Sequence, residues 1–207
     1  SAGDFIDSAL GVTTGGGLVF VADVTWYRVL AFDAALTRHI FTIDQTNISS
    51  KLTAVTGCSV KVPILGQGFL GPSCFNPHGM AWRSTASGGK LFVADADNSA
   101  VLIFGSAGRH IHTIRDPLTF TMPRGLAISP QGRLLIAERS RVLLLTPRGK
   151  LLDSLSLPGA QNLLGLACDL QHVYAADPTA NAIFVLSMAP TPSPPSPEHW
   201  GGLGQEL

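Results

Sequence analysis

The sequence predicts an all-β protein, and three observations carry that prediction. Hydrophobic residues make up 45% of the 207 residues and charged residues only 14%, so most of the chain should fold. The 22 glycines and 14 prolines indicate many turns, and the apolar runs between them are short. No segment sustains the i, i+3, i+4 apolar spacing of a helix between these turn signals. The chain therefore predicts one β-rich domain rather than a helical bundle.

One hairpin pattern recurs along the chain. Each copy reads as an apolar strand that ends on an acidic residue, a small polar turn and a second apolar strand. The copies are GGGLVFVADVTWYRVLAF (15–32), GGKLFVADADNSAVLIF (88–104), QGRLLIAERSRVLLL (131–145) and LQHVYAADPTANAIFVL (170–186). The predicted strands lie near 17–22, 27–32, 90–94, 100–104, 133–137, 141–145, 172–176 and 182–187.

Further apolar segments complete a four-stranded unit. A strand precedes the later hairpins in NPHGMAW (76–82), MPRGLAIS (122–129) and NLLGLACD (162–169), and a fourth segment follows two of them in RHIHTIRD (109–116) and GKLLDSLSL (149–157). The acidic turn residues of the last three copies lie 43 and 39 residues apart, near the about 40–50 residues of a propeller blade. A four-stranded meander cannot bury both of its faces alone. Radial stacking of about four such blades into a β-propeller is therefore the predicted architecture.

The predicted propeller occupies residues 1–188, with a long insertion between its first two blades at about 45–75. Residues 189–207, APTPSPPSPEHWGGLGQEL, offer little to bury and predict a disordered Pro/Gly-rich tail. Cys58 and Cys74 flank a Gly-rich part of the insertion. Whether they form a disulfide or stay free is left open by the sequence.

The repeated residues resemble those of the NHL-repeat β-propellers. The shared features are Pro–x–Gly–(Leu/Met)–Ala, a Val–Ala–Asp strand end, an Asn three residues later and a Val–Leu–Ile–Phe strand. The connection PILGQGFLGPSCFNPHGMAW is similar to a longer inter-blade connection of extracellular or cell-surface members. The resemblance covers about residues 10–188. It implies a propeller fold and favours an extracellular or cell-surface location.

The number of blades raises a question of completeness. NHL propellers commonly have six blades, and a six-blade ring needs roughly 240–270 residues. The sequence therefore predicts either a truncated piece of a larger propeller, with an apolar blade face for a partner or further blades to cover, or an unusually small ring.

The acidic turn positions are interpreted as architectural. Asp23, Asp95, Glu138 and Asp177 recur at one position in every copy, whereas an active site would be expected in one place. Asp and Asn side chains hydrogen-bond turn amides, which explains the repetition. No catalytic residue is assigned.

His78 is the strongest candidate for an enzyme site. It resembles the zinc-binding histidines at the strand starts of amidating lyases, which are NHL-type propellers. A zinc site needs about three protein ligands, and the equivalent positions hold Arg124 and Leu164. His39, His110, His112 and His172 are expected in outer or second strands. We therefore expect no metal and no cofactor.

One end of the blades collects basic and aromatic residues. In a meander, the start of strand one, the end of strand two, the start of strand three and the end of strand four share that end. The candidate ligand-binding residues there are Arg124, Arg139, Arg141, His78, Trp26 and Arg28. Loop arginines are often only solvated, but a ligand of this fold would bind at such loops.

These features predict a non-enzymatic binding or scaffold module for a protein or acidic peptide. One alternative is a metal-dependent lyase or hydrolase with His78 near the channel mouth. The other is an RNA-binding module that uses the basic third blade. The net charge of zero gives no global attraction to nucleic acid, and no apolar stretch reaches the length of a membrane span.

Overall fold

The computed structural model describes residues 6–48, 75–115, 121–188 and 200–203. Within them lie four antiparallel sheets, each of four strands in sequence order, and we number these sheets as blades 1 to 4. The chain is a four-blade β-propeller, as the repeats predicted. No helix in the described ranges is long and apolar enough to cross a membrane.

Each blade is a meander that runs from an inner strand to an outer strand. Blade 1 has β1 (Ala9–Gly15), β2 (Leu18–Asp23), β3 (Arg28–Asp33) and β4 (His39–Ile43); blade 2 has β5 (Pro77–Arg83), β6 (Lys90–Asp95), β7 (Ala100–Gly105) and β8 (His110–Arg115). Blade 3 has β9 (Pro123–Ile128), β10 (Leu134–Glu138), β11 (Arg141–Leu145) and β12 (Leu151–Ser156); blade 4 has β13 (Gly165–Cys168), β14 (His172–Asp177), β15 (Ala182–Met188) and β16 (Trp200–Leu203). A short 3-10 helix, Gln45–Asn47, follows blade 1.

The eight predicted hairpin strands are confirmed to within one residue at each end. Two further strands were not predicted. Strand β1 was not among those predicted, and β16 lies inside the stretch predicted to be a tail, where Leu203 pairs with Leu186 and Trp200 with Met188. These four residues therefore form a strand within the stretch that was predicted to be a disordered tail. The greater part of the predicted insertion, with Cys58 and Cys74, lies outside the described residues.

The core lies between the blades. Three apolar clusters join blade 1 to blade 2, blade 2 to blade 3 and blade 3 to blade 4. In the first, Phe20 and Ala31 of blade 1 pack with Val93 and Leu102 of blade 2, and all four are 0% exposed. Successive residues of a middle strand point to opposite neighbours, so that Val93 packs toward blade 1 and Phe92 toward blade 3. The apolar runs of the sequence are therefore strands with an inter-blade contact on each face.

The inner strands form one row. Strand β1 packs against β5, β5 against β9, and β9 against β13. Within the described ranges β1 and β13, the first and last inner strands, share no comparable contact. Within the described ranges, blades 2 and 3 each therefore lie between two neighbouring blades, whereas blades 1 and 4 each pack against one.

Candidate functional site

Glycines set the spacing of the inner strands. A Cβ atom added to Gly11 would collide with the His78 carbonyl, and one added to Gly79 would collide with the Arg124 carbonyl. A Cβ on Gly125 would lie only 2.8 Å from the Leu164 carbonyl oxygen. In blades 1 to 3 this glycine therefore allows the backbone of the next inner strand to approach closely.

Four residues precede the inner-strand glycines Gly11, Gly79, Gly125 and Gly165 and lie at the same end of the inner strands. They are Leu10, His78, Arg124 and Leu164. In β5 the pairing with β6 is irregular between Pro77 and Met80, which is where His78 lies, and β9 is irregular at Arg124. Such bulges redirect side chains at functional positions. His78 and Arg124 thus start adjacent inner strands, as the sequence repeats implied.

The end of the blades that carries His78, Arg124 and the four acidic turns is called the upper face below. The opposite end, called the lower face, carries the turns at Gly88, Gly132 and Gly149. Of the six basic residues in blade 3, Arg124, Arg139 and Arg141 lie on the upper face, and Arg133, Arg148 and Lys150 lie toward the lower face. The basic character of this blade is therefore divided between two ends.

The four acidic residues of the turns are buried and hold the lead-in segment of their own blade. Each is at most 1% exposed. Asp23 accepts a hydrogen bond from Ser8 N (3.3 Å), Asp95 from Asn76 N (3.1 Å) and Glu138 from Thr121 N (2.7 Å). Asp177 accepts two, from Gln161 N (2.6 Å) and Asn162 N (2.8 Å). The acids therefore fix where each inner strand begins.

Two of the candidate arginines are partners of these acids. Arg28 Nε lies 3.2 Å from Asp23 Oδ2, and Arg141 Nη2 lies 2.7 Å from Glu138 Oε2. The Arg28 guanidinium also lies 5.9 Å from the centre of the Trp26 ring, within reach of a cation–π contact. In these two blades the third-strand arginine has a structural role beside any binding role.

In the other two blades an alanine, Ala100 or Ala182, replaces that arginine, and the acid is stabilised differently. The Asn98 amide donates to both oxygens of Asp95, at 2.9 and 2.8 Å. Burial raises the pKa of Asp95 to about 6, although the hydrogen bonds from Asn76 and Asn98 act to lower it. Asp95 is thus a buried carboxyl without an ion pair among the contacts described for it.

The raised pKa of Asp95 predicts that the free energy of unfolding depends on pH. Because the pKa of Asp95 is raised from 3.8 to about 6, the folded state binds more protons than the unfolded state between those values. The contribution of Asp95 therefore favours folding at low pH and is lost as the pH rises through about 6, with a total of about 3 kcal/mol by linkage. Asp95→Asn should flatten this part of the profile, since Asn98 can turn its amide to donate and accept. Denaturant unfolding from pH 4 to 7 measures it; parallel profiles of wild type and variant would contradict the assignment.

His78 lies in a mixed electrostatic environment. It is partly buried, and its pKa is lowered by burial and by the Arg124 guanidinium, while the Asp97 carboxylate acts in the opposite direction. The imidazole is therefore neutral at neutral pH. Asp97 was not singled out from the sequence; only the alignment of its turn with the start of β5 reveals it.

The remaining predicted positions are spread over the upper face. Arg139 is exposed in the turn between β10 and β11, with a positive φ of 39°. Trp26 is 44% exposed in the corresponding turn of blade 1. The structure therefore brings His78 and Arg124 together and places Arg139 and Arg141 in blade 3. Trp26 and Arg28 lie in blade 1, which is next to the blade of His78 and two blades away from that of the arginines.

The other histidines lie in the strands expected for them. His39 is in β4, His110 and His112 are in β8, and His172 is in β14. His39 Nε2 lies 3.1 Å from Thr42 Oγ1, and His110 Nε2 lies 2.9 Å from Thr113 Oγ1. In the part of the chain that the structure describes, no three His, Cys, Asp or Glu side chains form a group that could hold a metal ion.

Comparison with known proteins supports the fold and no narrower class. None of the protein-family models matches the chain, and none of the curated proteins does. Among solved structures, the chain is similar to catalytically inactive virginiamycin B lyase from Staphylococcus aureus with quinupristin, at 14% identity and a TM-score of 0.58. That match covers 86% of this chain and 52% of the lyase.

Two other similar structures are not lyases by name. The RRP9 WD40 repeats match with a TM-score of 0.61 and 12% identity, over 86% of this chain and 47% of theirs. U3-55K matches with a TM-score of 0.59 and 13% identity, over 86% and 48%. The chain thus spans about half the length of these propellers. Likenesses at this identity establish a β-propeller, and the NHL assignment stays a prediction.

Proposed function

We propose that the protein is a non-enzymatic binding module of NHL type, which presents the upper face of its propeller to an acidic peptide or protein segment. The observation that carries the proposal is the placement of His78 and Arg124 on the adjacent inner strands of blades 2 and 3. The upper turn of blade 3 also presents Arg139 and Arg141. Loops held on a rigid scaffold are the usual position of binding residues.

The chemistry of these groups favours a carboxylate partner. Arg139 is exposed, and Arg124 is partly exposed with Nη2 3.2 Å from the Met122 sulfur, a weak acceptor that leaves the guanidinium able to bind carboxylates. A guanidinium offers a planar fork of donors that matches a carboxylate. The neutral His78 ring can donate one further hydrogen bond.

The acids on the same face favour a peptide over RNA. Asp97 lies near His78, and Glu138 neutralises Arg141. A phosphate backbone is bound mainly through an extended field of uncompensated basic residues. Here the positive charge is local and interrupted, which suits a few carboxylates on a short segment.

The test is a triple variant with a matched control. Arg124→Ala/Arg139→Ala/Arg141→Ala should raise the dissociation constant for a labelled glutamate-rich peptide about thirtyfold or more, because a desolvated contact arginine contributes about 2 kcal/mol or more. The control Arg109→Ala/Arg148→Ala/Lys150→Ala removes the same charge from the lower face and should have little effect. Fluorescence anisotropy measures both, after far-ultraviolet circular dichroism shows that both variants fold.

Three results would count against the proposal. Equal losses in both variants would mean that only net charge matters. An unchanged affinity in the upper-face variant would move the binding face elsewhere. Tighter, strongly salt-dependent binding of single-stranded RNA than of the peptide would favour the nucleic-acid alternative instead.

A lyase or hydrolase with a metal near His78 is the second candidate, and two observations favour it. The His78 ring is neutral at the start of an inner strand, which suits a metal ligand. Three of the similar structures are lyases. Zinc that is retained at one equivalent after dialysis, and lost in His78→Ala, would establish this candidate and overturn the non-enzymatic proposal.

A further inference from the structure

The lower face of the propeller carries an excess of basic residues. Within the described ranges, its strand ends and turns hold seven basic residues and two acids, Asp33 and Asp169; a further acid, Asp153, lies within β12. The basic residues are Arg38 in blade 1, Arg83, Lys90 and Arg109 in blade 2, and Arg133, Arg148 and Lys150 in blade 3. The net charge of the chain is zero, yet this face is positively charged.

The two acids of the lower face hold turns that present a leucine to solvent. Asp33 accepts three hydrogen bonds within its own turn, at 2.6 to 3.2 Å, and Leu36 in that turn is 61% exposed. Asp169 accepts two backbone hydrogen bonds within its own turn, both at 2.7 Å, and Leu170 in that turn is 74% exposed. Both carboxylates are therefore used locally, and each fixes a turn with an apolar tip.

A basic residue and an exposed aliphatic residue recur where the outer strand of three blades begins. The pairs are Arg38 and Ile40 in blade 1, Arg109 and Ile111 in blade 2, and Lys150 and Leu152 in blade 3. The pairing of each outer strand with the third strand skips the aliphatic residue. Such a bulge redirects the side chain of the extra residue, and the three aliphatic residues are 37% to 42% exposed. The lower rim of three successive blades thus presents the same pair.

This combination favours an anionic lipid surface over other polyanions. The surface potential of an anionic bilayer attracts basic side chains, and partial insertion of aliphatic side chains adds the burial of apolar area. A surface that binds single-stranded nucleic acid would instead offer aromatic side chains on which bases stack. Among the Phe, Trp and Tyr side chains that the structure describes, only Trp26 is exposed, and it lies on the upper face. A polar polyanion would leave the two leucines without an apolar partner.

We propose that the lower face binds the surface of an anionic lipid bilayer. Leu36 of blade 1 and Leu170 of blade 4 enter the boundary between headgroups and acyl chains. The basic residues of blades 2 and 3, which lie between those two blades, contact the lipid phosphates. The upper face then points away from the bilayer and stays accessible to a partner in solution. Because the two faces are separate, lipid binding does not depend on the peptide site.

Co-sedimentation of the full 207-residue chain with phosphatidylcholine vesicles, with and without phosphatidylserine, tests the proposal. Wild type should bind the vesicles that contain phosphatidylserine and not pure phosphatidylcholine, and added salt should release it. Arg109→Ala/Arg148→Ala/Lys150→Ala should lower the partition coefficient about a hundredfold, because each basic residue near an anionic surface strengthens binding about fivefold.

The matched control for charge is Arg124→Ala/Arg139→Ala/Arg141→Ala. It removes the same charge from the upper face and should bind vesicles as wild type does. The two triple variants should therefore have opposite outcomes in the vesicle assay and in the peptide assay, which separates a failure of this proposal from a failure of the peptide site.

A second pair of variants tests the insertion of the leucines. Leu36→Ser/Leu170→Ser should weaken vesicle binding about tenfold or more and leave its salt dependence unchanged, because the lost interaction is apolar. Leu10→Ser is the matched control, since Leu10 is 56% exposed but lies at the upper end of β1, and it should bind as wild type does. Far-ultraviolet circular dichroism shows that each variant folds.

Four results would each overturn the proposal. Wild type could fail to bind phosphatidylserine vesicles, or the two triple variants could lose equal affinity for them. Wild-type binding by the leucine variant would mean that the face recognises charge alone. Tighter binding of single-stranded RNA than of the vesicles would assign the face to nucleic acid.

Discussion

Replacing Gly79 by alanine is expected to destabilise the folded protein by about 3 kcal/mol, at the upper end of the usual effect of overpacking. The added methyl group would collide with the Arg124 carbonyl and lie 2.9 Å from Gly125 Cα and Leu126 N. Backbone atoms cannot move aside as a flexible side chain can, so β5 and β9 must separate. Guanidinium chloride unfolding gives the free-energy change directly.

Gly105→Ala is the matched control for that variant. Its added Cβ would meet the Ile111 side chain at 3.5 Å and the Arg109 carbonyl at 3.9 Å, which are ordinary contacts, and its φ is not positive. We expect a change of about 0.5 kcal/mol or less. Equal effects of the two substitutions would mean that the glycines do not set the spacing of the inner strands.

The second large effect is expected at Asp177. This carboxylate accepts hydrogen bonds from Gln161 N, Asn162 N, Thr179 N and Ala180 N, at 2.6 to 2.9 Å. Asp177→Ala leaves these donors without their acceptor and releases the lead-in of β13, for a loss of about 3 kcal/mol. Thermal and denaturant unfolding measure the loss.

Asp177→Asn provides a graded comparison. The amide keeps one acceptor oxygen, so its cost should fall between those of wild type and the alanine variant. Burial acts to raise the pKa of Asp177, but the backbone hydrogen bonds outweigh it and hold the pKa below its usual value. The stabilisation from Asp177 is therefore present at neutral pH and lost as the pH falls through its lowered pKa, the opposite of Asp95. A stable alanine variant with reduced ligand binding would instead assign the acid to the site.

The repeats made much of the fold predictable. The paired apolar runs LFVAD and AVLIF predicted a hairpin, and each run is continuous because its strand is buried between two blades. The recurrence of the acid in every copy indicated an architectural role. Strand β1 was not predicted because its apolar residues, Leu10 and Val12, are few and stay exposed. Its position follows from pairing with β2, which composition does not encode.

The sequence predicted where the residues of the candidate site lie better than it predicted their hydrogen-bond partners. Alignment of the repeats placed His78 and Arg124 at equivalent strand starts, and the structure has them on adjacent inner strands. The acids were interpreted as formers of their own turns. Asp177 does accept hydrogen bonds within its own turn, from Thr179 N and Ala180 N at 2.9 Å. The hydrogen bonds to the lead-in of the same blade, 15 to 19 residues away for Asp23 and Asp95, were not predicted. Such pairs depend on strand register, including bulges, which no local pattern determines.

We propose that the protein binds its partner at the upper face, which the inner-strand glycines and the buried acids organise. An amide NMR titration with the glutamate-rich peptide tests this placement. The perturbed amides should be those of His78, Gly79, Arg124, Gly125 and Arg139. Perturbations confined to Gly88, Gly132, Gly149 and their neighbours on the lower face would contradict it.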